Sequence, residues 1–147
     1  MKYSEAQWGR VFILRLEAGE VLHETLEKFA RDHDISGAAV IVVGGGGKDS
    51  TLIVGPRDSN SKVVDAMEYI LEDAHEIMGT GTLFKSEEGD PVLHMHVSAG
   101  RADKSITGCV RRGVKVWGVL EVVIFEIKNT TAVKKYIKDF DNYMLHP

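Results

Sequence analysis

The chain has 147 residues, a formal charge of −4, a hydrophobic content of 44% and one cysteine. That size suits a single domain over 1–147 with a real apolar core, and the lone cysteine excludes an internal disulfide framework. The acidic balance weighs against a dedicated nucleic-acid binder, which carries a dominant basic surface.

The N-terminus, MKYSEAQWGR, lacks an apolar signal segment, and no apolar run reaches membrane-spanning length. The expectation is a cytoplasmic protein with no membrane contact. Residues 10–16 alternate as a strand, with Val11, Ile13 and Arg15 on one face and Phe12, Leu14 and Leu16 on the other. A helix is expected over about 20–33, where Leu22, Leu26, Phe29 and Ala30 form an apolar stripe. Residues 38–43 are β-branched and apolar, as in a buried strand.

The run Gly44-Gly45-Gly46-Gly47-Lys48-Asp49-Ser50 is not a phosphate-binding loop. Val42 stands where the first glycine is required, Asp49 follows the lysine, and a strand rather than a helix comes next. The run reads as a flexible connection to a strand at 51–54. Residues 63–74 fit either a helix or a strand around Tyr69-Ile70-Leu71. Strands are expected within 75–84, at 92–98, 105–110, 114–116 and 119–127. Residues 131–144 read as an amphipathic helix with Val133, Tyr136, Ile137, Phe140, Tyr143 and Met144 on one face. Short connections make the strand pairs antiparallel. The expected class is α+β: a mainly antiparallel sheet, a helix after the first strand and a C-terminal helix.

The chemistry concentrates in His94-Met95-His96 and Cys109. Residues two apart on a strand share a face, so His94 and His96 present paired imidazoles. Imidazole and thiolate suit zinc or another divalent transition metal. Two such histidines also occur as ordinary half-buried strand residues, and a lone cysteine as a small hydrophobe. His75 is a candidate fourth ligand from a neighbouring strand, or a surface histidine. Glu76 is a candidate acid or base, or an acceptor for an imidazole N–H. Convergence depends on register. With Met95 opposite Cys109 the sulfur turns away from both rings; with a histidine opposite it, all three meet. Gly108 offers a place for a bulge that makes this shift. His23, His33 and His146 read as non-site residues, and Trp8 and Trp117 as packing residues. Arg15 reads as a partner for a carboxylate at a subunit contact or as a solvated cation. The basic stretch Arg101, Lys104, Arg111, Arg112 and Lys115 reads as a solvated hairpin.

Several segments in order resemble the plant-and-prokaryote-conserved (PPC) domain family. They are Leu14-Arg15-Leu16-Glu17-Ala18-Gly19-Glu20, His75-Glu76-Ile77 leading to Gly79-Thr80-Gly81-Thr82-Leu83, Gly89-Asp90-Pro91-Val92-Leu93-His94-Met95-His96-Val97, Gly108-Cys109-Val110 and Glu121-Val122-Val123-Ile124. The third matches the family's G-x-P-x-x-H-x-H strand. The fourth departs from its Gly-Gly-His-Leu, with Cys109 at the histidine position. The resemblance covers about 10–127 and leaves 128–147 as an extension. It implies an antiparallel α+β fold, a homotrimer, and a site built from the two strand histidines and the residue at position 109. The family is commonly labelled DNA-binding because plant members carry AT-hooks, and no Arg-Gly-Arg-Pro core occurs here. Three functions follow as expectations: a homotrimer binding a divalent metal with a small-molecule ligand or protein partner; a metal-dependent enzyme acting on a small molecule; and a DNA-binding regulator.

Overall fold

A computed structural model describes residues 1–61, 63–140 and 142–147. The chain runs β1 (Gln7–Glu17), α1 (Leu22–Asp32), β2 (Gly37–Gly46), β3 (Thr51–Pro56), β4 (Ala66–Ile70), β5 (His75–Lys85), β6 (Pro91–Arg101), β7 (Lys104–Cys109), β8 (Val116–Lys128), β9 (Val133–Ile137) and β10 (Asn142–His146). The first eight strands form one sheet in the order β1-β8-β2-β5-β6-β7-β3-β4, and β9 and β10 form a separate hairpin. Every named pair of strands is antiparallel. Among the described residues no helix is long and apolar enough to cross a membrane.

The architecture corrects the expected α+β class. Among the described residues the fold is mostly antiparallel sheet with one short α-helix, and the C-terminal segment forms a hairpin instead of an amphipathic helix. Residues 133, 136, 137, 140, 143 and 144 have helical spacing, but Val, Tyr, Ile and Phe pack well on a pleated surface. Tyr136 and Tyr143 stand directly opposite in the hairpin, with rings 5.5 Å apart edge to face. Such cross-strand pairs stabilise a sheet by about 0.2–1 kcal/mol. A single 3-10 turn at Lys138–Phe140 separates the two strands. A bridge between Ser86 and Lys134 ties the hairpin to the main sheet.

The core lies on one face of the large sheet. The stripe of α1 buries Leu22, Leu26 and Ala30 against Leu16, Val40, Val42, Leu93, Met95, Val97, Leu120 and Val122. Glu27 on α1 accepts the Leu93 backbone N–H at 2.8 Å, satisfying a donor beyond the end of the β6–β7 ladder. The ambiguous stretch at 63–74 contains strand β4, and the expected strands at 114–116 and 119–127 are largely one strand, β8.

The glycine run is also different from expectation. Gly44, Gly45 and Gly46 lie inside β2 between β5 and β8, not in a flexible connection. A Cβ on Gly45 would sit 2.1 Å from the Trp117 carbonyl oxygen, so the close strand approach requires glycine there. Trp8 and Trp117, expected to pack, do so only partly: both are largely exposed, while Trp8 meets Phe125 edge to face at 5.9 Å and the Trp117 ring lies against Gly45.

At the β1–β8 edge, Glu126 is buried and its carboxylate is held in a tight fork. Arg10 donates from its backbone N and Nε to Glu126 Oε2, both at 2.8 Å, and from Nη2 to Oε1 at 2.7 Å. These bonds from Arg10 hold the Glu126 pKa down to about 2, against burial, which raises it. A carboxylate whose pKa falls on folding stabilises the fold fully above its unfolded value, near 4.5, and loses that contribution as the pH drops toward about 2. Glu126→Gln should therefore flatten the dependence of melting temperature on pH across that window. Thermal melts at stepped pH test this; an unchanged acid limb would show that the pair does not govern acid stability.

Candidate metal centre

Strand β6 alternates. Leu93, Met95 and Val97 turn into the core, while His94, His96 and Ser98 face the other side of the sheet. Within the β6–β7 ladder His96 stands opposite Cys109, Val97 opposite Gly108 and Ser98 opposite Thr107. The register is unbroken, so no bulge at Gly108 is needed to bring the sulfur to the histidine face. Gly108 instead admits the neighbouring strand, since a Cβ there would lie 2.6 Å from the Ile53 carbonyl oxygen of β3. Gly81 does the same on the other flank, where a Cβ would meet the Met95 Cβ at 2.6 Å and the His94 carbonyl oxygen at 2.7 Å. These glycines let β3 and β5 close tightly around the ligand-bearing strands.

One ligand atom from each of His94, His96 and Cys109 lies within 4.8 Å of the other two. The His94 and His96 Nε2 atoms are 3.3 Å apart. Two Nε2 lone pairs at that separation repel unless a proton or a cation lies between them. Tetrahedral zinc with Zn–N bonds of ~2.0–2.1 Å places its nitrogen ligands ~3.3 Å apart, which is the separation found. The donor set thus fits a zinc-like ion. Burial, then the positive charges of Lys134, His96 and Arg111, hold the His94 pKa below its usual value and favour the neutral, ligating imidazole. Three protein donors leave a coordination position for water or a ligand.

His75 and Glu76 lie elsewhere. Glu76 is opposite Gly100, while His96 is opposite Thr80. Glu76 lies four residue steps from Thr80, roughly 13 Å along β5. His75 is one residue farther, buried, with Nδ1 donating to the Asp73 carbonyl at 2.9 Å. Neither belongs to the three-residue cluster of one chain. Arg15 is exposed and pairs with Glu17 at 3.0 Å. His33 stacks on Phe29, with ring centroids 4.0 Å apart, at the end of α1.

Lys134 was not singled out in the sequence. It is 0% exposed, and its Nζ donates one long bond, 3.4 Å, to Thr82 Oγ1. Thr82 stands opposite His94, so the ammonium lies against the donor cluster. Burial lowers its pKa, opposed by attraction to Cys109. A residue in a predicted helix, flanked by another lysine, carries no sign in the sequence that it will be buried.

The Plants and Prokaryotes Conserved (PCC) domain matches residues 3–128, most of the chain. The chain belongs to this family. A comparison with curated proteins finds no match. Among solved structures, a PPC protein of Pyrococcus horikoshii superposes with a TM-score of 0.84 at 21% identity, over 100% of this chain and 98% of the other. A metal-containing protein of Archaeoglobus fulgidus superposes with a TM-score of 0.83 at 21% identity, over 100% of both chains. A candidate DNA-binding protein of Bacteroides thetaiotaomicron reaches 0.75 at 18% identity over 96% of each. At these identities the likeness establishes the PCC fold. The β9–β10 hairpin lies beyond the matched PCC segment.

Proposed function

We propose that this PCC-domain chain is a homotrimeric metal-binding protein. His94, His96 and Cys109 hold a divalent ion, zinc by the chemistry of the donors, and leave a coordination position open to a small ligand. The observation that carries the reading is the 3.3 Å separation of the two Nε2 atoms beside a buried thiol. The metal-containing Archaeoglobus protein of the same fold supports it.

Self-association is supported by the sheet face that bears the donors. Paired residues run across it in one row: Ile13, Val123, Ile41, Thr80, His96, Cys109. Ile13 is 75% exposed and Ile41 49%, with Val11, Val43 and Met78 exposed alongside. A contiguous apolar surface of this kind marks a protein interface. The formal charge of −4 favours a small ligand over duplex DNA. Glu76, distant from the donors within one chain, gives the enzyme reading no acid or base at the cluster.

Elemental analysis of protein purified without chelators tests the assignment. About one zinc per chain is expected, as for a mononuclear site. Protein that stays metal-free after dialysis against zinc would overturn it.

A further inference from the structure

A cavity of ≈ 340 Å³ opens beside His94. Its walls come from three directions: Asp58 after β3, Arg111 after β7, and Phe140, Asn142 and Met144 from the C-terminal hairpin. That volume is within the range of small-molecule sites, and the combination of apolar walls with a few charged groups is their usual chemistry.

Among the described residues, the arginines around this cavity are unevenly paired. Arg57 pairs with Asp65 at 3.0 Å and Arg112 with Glu68 at 3.3 Å. Arg111, half-buried in the cavity wall, has no ion pair among the described residues. A divalent ion held by one thiolate and two neutral imidazoles stays positive. Arg111 adds to that charge, and among the described lining residues Asp58 offsets one unit of it while accepting the Asn60 backbone N–H at 2.9 Å. A guanidinium with no ion pair beside a residual positive charge favours an anionic ligand.

We infer that the cavity beside His94 binds a small carboxylate with an apolar body, its oxygens paired with Arg111 and its body packed on Phe140 and Met144. The inference deepens the metal-site reading and rests on it for the ligand's place next to an ion. Guanidinium is the group best shaped for a carboxylate, which it grips through two parallel N–H bonds. The aromatic and thioether side chains that line the same cavity select against a bare inorganic anion.

Calorimetric titration with benzoate tests this, with benzamide as the uncharged analogue and inorganic phosphate as the bare anion. Zinc content is measured on each sample. Benzoate should bind the zinc-loaded protein at least about tenfold more tightly than benzamide or phosphate, and Arg111→Ala should lose at least about tenfold in benzoate affinity. Phe140→Ala should weaken benzoate while leaving phosphate unchanged. Both variants should keep the wild-type zinc content and melting temperature. Zinc-loaded protein that ignores benzoate, or that binds it equally without the Arg111 side chain, overturns the inference and leaves the metal assignment standing. Protein that takes no zinc yet binds benzoate through Arg111 overturns the metal assignment and supports the anion site.

Discussion

Cys109→Ser should bind zinc more than about 100-fold more weakly than wild type, beyond the 10–100-fold typical of losing an outer partner of a metal ligand. Serine fills nearly the same volume, so the fold should persist. The hydroxyl stays protonated near neutral pH, whereas the thiol ionises on binding metal and supplies the only negative charge in the donor set. Cys109 also stands directly opposite His96, so its loss removes the donor from β7 and leaves only the two imidazoles of β6. Competition with a chromogenic chelator measures the change. An affinity within a few-fold of wild type would mean that the sulfur does not touch the ion.

Ile41→Asp should convert the assembly to monomers. Ile41 lies mid-row on the donor face, between Val123 and Thr80, and is half exposed in the isolated chain. In the proposed trimer every subunit would carry the new carboxylate into an apolar contact, at a cost of several kcal/mol per copy. Light scattering coupled to gel filtration should give three times 16.2 kDa for wild type and a single chain mass for the variant. Because Ile41 points away from the core, the variant's helix-and-sheet signature should be retained. A wild-type chain that elutes as a monomer at micromolar concentration would sink the trimer.

The sequence made much of this legible. Alternation placed His94 and His96 on one face because strand periodicity is strict, and the apolar stripe of α1 landed as read. It left open which residue Cys109 would face, because register depends on how far the β6–β7 turn extends, and that is a matter of one residue. The C-terminal segment misled because its apolar spacing suits a helix. What decides it is nonlocal: the facing of Tyr136 and Tyr143, and the bridge from Lys134 to Ser86. The same error hid Lys134, whose burial exists only once the hairpin lies over the sheet. The glycines at 44–46 were legible as unusual but not as strand, since close approach between backbones is visible only in three dimensions.

The cavity wall has a consequence for how proteins of this type are divided. Phe140 and Met144 lie past residue 128, where the family match stops. A fragment trimmed to the shared domain would retain both imidazoles and the thiol and yet lose one wall of the cavity beside His94. On the proposed carboxylate site, the recognisable unit of ancestry and the smallest ligand-binding unit are different lengths of chain. If the cavity takes the proposed carboxylate, its selectivity is written in the stretch that the family match leaves off.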